Sequence, residues 1–280
     1  MAGKRRLPLW LKGALWAFGL AVLAWFWAAV YVYEYQGSLL YDPDGRVVPL
    51  AEVALARSEV VSIPVGGGLS VQGWYVAPTD GLPIIVYLKD ASGSVTAEHE
   101  RFADMADDGY GLLAIDYRGF PFSPGQISQA NMNDDALAAY DYAAARGRPL
   151  VIWGRGLGAA PATWVAAHRE AGALVLEAPL ASAVELLEER FPILPVSFLL
   201  KDKFPTRDWI GQANEPLFLA QGSQDTAIPV SQGEELYALA PNPRLKWIAE
   251  GAGHDDLWQK GLWTHAKAFL AATGLVEAHN

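Results

Sequence analysis

Residues 150–160 read Leu-Val-Ile-Trp-Gly-Arg-Gly-Leu-Gly-Ala-Ala. The apolar start makes a short strand, the glycines make a tight turn, and the small residues that follow open a helix. The spacing is that of the strand–turn–helix elbow G-x-S-x-G, with Gly154 and Gly158 as the outer glycines. The central position, which in that pattern carries the attacking hydroxyl, is Gly156. Glycine has no side chain and cannot form a covalent acyl intermediate. It adopts strained turn conformations at little cost, so it is an easy occupant of such a turn.

On either side of this stretch, strand-like and helix-like segments alternate. Glu59–Val65 and Ser70–Ala77 read as antiparallel strands joined by the glycines at 66–68. Pro83–Leu88, Gly111–Asp116, Ala173–Leu176, Pro216–Ala220 and Leu245–Ile248 are short apolar runs of the buried-strand type. Helical spacing covers Thr96–Asp108, Met132–Arg146, Gly158–His168, Ala181–Arg190, Ser231–Ala240 and Asp256–Ala272. This order predicts an α/β fold, a mainly parallel sheet with helices on both faces. Residues 181–205, with Phe-Pro-Ile-Leu-Pro-Val at their centre, break the rhythm and read as a small apolar lid. In such sheets the site lies beyond the carboxyl ends of the strands.

Three positions follow predicted strands in chain order: Gly156, Asp225 and His254. An acid that orients an imidazole, and an imidazole that acts as general base, are two parts of a nucleophile–histidine–acid triad. Asp225 alone also fits a simple turn before Ile228-Pro229, and His254 alone fits a loop histidine capping the next helix.

From about residue 59 to 272 the chain resembles the α/β-hydrolase superfamily, chiefly its small membrane-anchored, serine-aminopeptidase-like and esterase-like members. Asp116-Tyr-Arg-Gly119, with Ser123 and Gly125, is similar to the D-Y-R-G-x-G-x-S-x-G loop. Gln221-Gly222 with Asp225 and Val230 is similar to H-G-x-x-D-x-x-V, and Gly251–Asp255 to G-A-G-H-x-D/N. The resemblance implies the acid role for Asp225 and the base role for His254. It implies oxyanion-hole donors at the N–H of Leu157 and the N–H of Ala91. Two departures bear on activity. The nucleophile position is Gly156, and the loop that normally reads H-G-N-x-G reads Lys89-Asp90-Ala91-Ser92-Gly93. A carboxylate at Asp90 would raise the energy of a developing oxyanion. Lys89 and Asp90 are also expected to form a local ion pair.

The N-terminus is of another kind. Lys4, Arg5, Arg6 and Lys12 precede an uncharged run from Gly13 to Tyr33. As a helix this run is ~31 Å long, about the thickness of a bilayer core. It is too long for the apolar region of a cleaved signal peptide. We expect a basic stub and transmembrane signal anchor over 1–35, a connector over 36–58, and the hydrolase-like domain over 59–280. The flanking charges place the N-terminus in the cytoplasm and the domain in the periplasm or outside. Without those four cations the formal charge of −10 becomes −14, which argues against nucleic acid as a partner. The absence of cysteine excludes disulfides and thiolate chemistry. No metal-ligand spacing and no cofactor motif is expected for the site.

The expected function is therefore a membrane-anchored hydrolase homologue with a degenerate site, a pseudoenzyme binding a small apolar ligand or a protein partner. Three other readings stand beside it. His254 and Asp225 would activate a water in the space left at Gly156. Ser92, Ser94 or Ser123 would supply a substitute nucleophile. Gly154-x-Gly156-x-x-Ala159, with Glu177 as a ribose-binding acid, would hold a dinucleotide.

Overall fold

Alternation along the strands sets the architecture. In β3 (Ile84–Leu88), Ile84, Val86 and Leu88 face one apolar cluster, and Ile85 and Tyr87 face the other. β5 (Leu150–Arg155) does the same with Leu150 and Ile152 against Val151 and Trp153. A strand buried on both faces needs cover on both faces, and helices supply it. The computed structural model describes residues 8–49, 52–53, 55, 58–79 and 81–276. Lys4, Arg5, Arg6 and His279, and part of the expected connector, lie outside these.

The sheet has eight strands in the order β1-β2-β4-β3-β5-β6-β7-β8. β1 (Glu59–Gly66) and β2 (Leu69–Val76) form the expected hairpin, and β2 pairs antiparallel with β4 (Gly111–Ile115). Every later pairing, through β6 (Ala173–Glu177), β7 (Leu217–Gly222) and β8 (Pro243–Ala249), is parallel. The chain leaves β3 toward β4 on one side and returns to β5 on the other. The strand order therefore reverses between β3 and β5, and the loops that follow them diverge to leave a crevice.

Helices α3 (Gln129–Ala144), α4 (Ala159–Ala166), α7 (Thr206–Ile210) and α8 (Val230–Leu239) cover one face. α2 (His99–Asp107) and α9 (Leu262–Ala272) cover the other. The lid consists of α5 (Ala183–Arg190) and the short α6 (Val196–Leu199).

α1 runs Leu9–Leu40, past the boundary expected at residue 35, and is long and apolar enough to cross a membrane. It is exposed as far as Trp27 apart from a half-buried Leu11, while Ala29, Val32 and Gln36 are buried against the lid side of the domain. The segment after it crosses the loop after β3. Asp42 N–H donates to Ala91 O (2.9 Å), Gly93 N–H to Asp42 O (2.8 Å) and Ser94 N–H to Arg46 O (3.1 Å). The start of the expected connector is thus helix, and its next stretch is tied to the loop that carries Asp90.

Candidate active site

Four strand ends meet at the crevice. β3 delivers Lys89 and Asp90, β5 delivers Gly156 and Leu157, the turn after β7 delivers Asp225, and the loop after β8 delivers His254. Gly156 has φ +54°, the left-handed region, so the elbow conformation expected from the glycine spacing is present. A Cβ on Gly158 would strike the carbonyl oxygens of Leu88 and Lys89. The elbow therefore packs directly on the end of β3, and the two loops share one space.

Asp225 holds His254 as the sequence predicts. Its Oδ2 lies 2.8 Å from His254 Nδ1 and accepts from Gln221 Nε2 at 3.0 Å. Its Oδ1 accepts from the N–H groups of Ala227 and Ile228, both at 2.9 Å. The turn role and the orienting role, posed as alternatives from sequence, are carried by one fully buried side chain. Gln221 was not singled out from sequence. It also donates to Ile228 O (3.0 Å), bracing the turn.

The decisive side chain is Asp90. Its Oδ1 accepts from Ala91 N–H at 2.7 Å and from Leu157 N–H at 2.8 Å. These are the two backbone donors expected to form an oxyanion hole, and both point at one carboxylate oxygen. The other oxygen, Oδ2, lies 3.0 Å from His254 Nε2. A Cβ built on Gly156 would fall inside the Asp90 carboxylate. Asp90 thus fills the space that a side chain at position 156 would enter.

The expectation of a local ion pair between Lys89 and Asp90 is corrected. Lys89 Nζ donates to the backbone carbonyls of Asp90 (2.9 Å) and Ser92 (3.2 Å) and sits 3.6 Å above the Phe120 ring. Lys89 clamps the loop backbone, which leaves the Asp90 carboxylate for His254 and the two N–H groups. Burial pushes the Lys89 ammonium down to about 8, against the opposing pull of Asp116 and Asp90.

The electrostatics follow from this bracketing. Burial works against a charge on His254, but the hydrogen bonds to Asp225 and Asp90 and the two carboxylate charges outweigh it. Its pKa is pushed up to about 10. Burial opposes ionisation of Asp90 as well, and the His254 hydrogen bond and charge, with help from Arg155 and Leu157 N–H, hold its pKa well below the usual carboxylate range. Near neutral pH the site is an imidazolium between two carboxylates. Both ring nitrogens are donors in that state. Asp90 fills the space beside Gly156 that was expected for an activated water.

A charge network, buried apart from the exposed Asp255, fixes the elbow. Arg155, the residue before Gly156, reaches Glu98 (3.4 Å), Glu177 (3.3 Å) and Asp255 (2.5 Å). Arg101 joins Glu177 (2.8 Å) to Glu98 (3.1 Å). Asp255 adjoins His254, so Arg155 ties the histidine loop to the elbow. Glu177 also accepts from Trp153 Nε1 (3.1 Å) and is about 1% exposed. It is spent in this network and is not placed to bind a ribose, which removes the basis of the dinucleotide reading.

The serines weighed as substitute nucleophiles bond elsewhere. Ser92 Oγ donates to Asp42 Oδ2 (3.0 Å), Ser94 Oγ to Asp116 Oδ2 (2.7 Å) and Ser123 Oγ to Asp116 O (2.6 Å). Among the described residues no group of three or more His, Cys, Asp or Glu could hold a metal.

A cavity of about 340 Å³ opens on Asp90 and His254. Leu157, Leu180, Leu186 and Ile228 line it, and Arg190 stands at its wall. Leu39 and Leu40, the last residues of α1, line it too. That contribution was missed from sequence, because nothing local links a membrane-type helix to a pocket 50 residues further on.

Comparison with known proteins agrees with this architecture. No family model matches the chain. An uncharacterised protein of Mycobacterium tuberculosis is 29% identical over 258 residues, covering 90% of this chain and 89% of that protein. The human protein ABHD12B is 32% identical over 193 residues, which span 60% of this chain and 53% of that protein. Among solved structures, an esterase of Pyrococcus furiosus superposes with a TM-score of 0.66 at 20% identity, over 83% of this chain and 97% of that one. A bacterial membrane phospholipase A gives 0.63 at 18% identity, over 95% and 98%. The fold is that of the α/β-hydrolases.

Proposed function

We propose that this chain is a membrane-anchored α/β-hydrolase homologue that has lost serine-type acyl transfer and binds a ligand or partner through the old pocket. One observation carries the reading: the Asp90 carboxylate accepts from both Ala91 N–H and Leu157 N–H while pairing with His254. Acyl transfer needs a nucleophile at the elbow and an empty hole for the oxyanion. Here Gly156 offers no nucleophile, and the hole holds a resident anion. A substrate carbonyl would have to displace a charge-assisted hydrogen-bonded carboxylate and then develop its own charge beside it. Losing the serine also relieves a strained position, so stability and activity part company at the elbow.

The pocket wall has an apolar part that includes the end of α1 and a charged part formed by Asp90, His254, Asp255, Arg155 and Arg190. This favours an amphiphile, with its alkyl part against Leu39, Leu40, Leu157 and Leu186 and any anionic end toward Arg190. The cations before the apolar helix favour a cytoplasmic N-terminus and a domain on the far side of the membrane.

The test uses the full chain in detergent or nanodiscs. A fluorophosphonate should leave it unlabelled, and nitrophenyl esters should not turn over above background. A fluorescent long-chain acyl probe should bind and be excluded by Ala227→Trp, which fills the pocket. Ester turnover or labelling by the natural chain, abolished in His254→Ala, would overturn the reading.

A further inference from the structure

The lid carries two large apolar side chains that no described residue covers. Ile193 is 75% exposed and Phe198 is 89% exposed. They belong to residues 191–200, Phe-Pro-Ile-Leu-Pro-Val-Ser-Phe-Leu-Leu, a run without a charge. This run is docked along α1. Trp25 Nε1 donates to Ile193 O (2.8 Å), and Gln36 Nε2 to Leu199 O (3.3 Å). Lys201 N–H donates to Gln36 Oε1 (2.6 Å), and Tyr41 OH to Asp202 Oδ2 (2.9 Å). The lid therefore occupies the level of α1 between Trp25 and Tyr41.

Helix length then fixes where that level lies. A bilayer core is about 30 Å thick, and a helix rises about 1.5 Å per residue. From Leu9, where α1 begins, to Ala24 the helix gives only ~24 Å. From Gly13, after Lys12, it reaches ~30 Å only near Val32. No placement of the span within α1 keeps Trp25 clear of the hydrocarbon, and tilting shortens the reach further. Trp25, Phe26, Trp27 and Tyr31 are themselves 40–60% exposed, an aromatic surface continuous with the lid.

We infer that residues 191–200 of the lid are a second membrane contact, with Ile193 and Phe198 seated among the acyl chains of the leaflet nearest the domain. This rests on the reading of α1 as a membrane span. Burying apolar surface that is otherwise in water supplies the driving force. Arg190, Lys201 and Lys203 flank the run, and Glu188, Glu189 and Asp202 balance their charge. The contact is thus apolar in character and does not require anionic lipid. α5 carries Leu186 and Arg190 into the cavity wall beside Leu39 and Leu40, so the pocket shares its wall with the elements that make this contact. The ligand class that fits is an amphiphile with an alkyl chain, drawn from the lipid phase.

The chain has no cysteine, so one introduced thiol can be labelled alone. Phe198→Cys, Val22→Cys in α1 and Ala271→Cys in α9 would each carry an environment-sensitive fluorophore, in the full chain reconstituted into phosphatidylcholine vesicles. Ala271 is exposed and belongs to the helix on the opposite face of the sheet. The probes at 198 and 22 should shift to the blue and lose most of their emission to nitroxide-labelled lipid. The probe at 271 should do neither. If 22 is quenched and 198 behaves like 271, the lid is not in the membrane and the inference falls while the anchor stands. If 22 also reports water, the anchor reading falls and takes the inference with it.

Discussion

His254 stands between two carboxylates that are built differently. Asp225 is fully buried and held by a side-chain amide and two backbone N–H groups of its own turn. It does what an orienting acid does whether or not a reaction follows. Asp90 keeps about a fifth of its side chain exposed, and its partners come from three separate segments: its own loop, the elbow and the histidine loop. The Asp225 side of the site preserves an acid–base pair. The Asp90 side fills the space beside Gly156 and takes up the N–H groups of Ala91 and Leu157. The Asp225–His254 pair is therefore not by itself evidence of turnover, because here its second ring nitrogen is paired with Asp90.

Stability measurements sharpen this contrast. Asp225→Ala should be the more damaging change, costing about 3–5 kcal/mol in urea unfolding, since it takes one of two counter-charges from the imidazolium and leaves two buried N–H groups unpaired. Asp90→Ala should cost less, about 1–3 kcal/mol, because water can reach part of the site. An equal or reversed order would mean that the two carboxylates are not distinguished as described. Gly156→Ser alone should destabilise by about 1–3 kcal/mol, from the positive φ and the collision with Asp90. Adding Asp90→Gly should recover part of that loss, so the pair should be non-additive.

The pH dependence is a finer probe. The His254 pKa is raised from an ordinary 6.5 to about 10. A raised pKa contributes stability that is complete below about 6.5 and is lost as pH rises through 10. Asp90 is shifted down, so its contribution is present above the ordinary carboxylate value of 3.8 and lost as pH falls below it. Unfolding free energy should therefore decline from about pH 6.5 to 10. Asp90→Asn should flatten that slope by lowering the His254 pKa. Nitrogen NMR of the imidazole should show both ring nitrogens protonated at pH 8, and a neutral tautomer there would contradict the ion pair.

Much of the fold was legible because its signals are local. The Gly66–Gly68 hairpin, the apolar runs of β3 and β5 and the glycine elbow each depend on a few neighbouring residues. Asp225, His254, Leu157 and Ala91 were singled out because each follows a strand end in a recognisable order, and the structure brings them together around Asp90 and His254. The part played by Asp90 was not. Its bonds to Leu157 and His254 join positions far apart in sequence, and only the reversal of strand order between β3 and β5 brings them together. From sequence Asp90 read as a disturbance near the two N–H groups, whereas in the structure its carboxylate accepts from both of them. The reach of α1 was underestimated for a similar reason. Gln36 looks like the start of a connector, yet it is buried and bonded to the lid.

If Asp90 closes the elbow, Gly156 and Asp90 must be reversed together to open it. Fluorophosphonate labelling of the natural chain, Gly156→Ser, Asp90→Gly and the double variant tests this directly. The double variant alone should label, and should lose labelling again when His254→Ala is added. Labelling of the natural chain, or of Gly156→Ser while Asp90 is still present, would show that the carboxylate does not close the site.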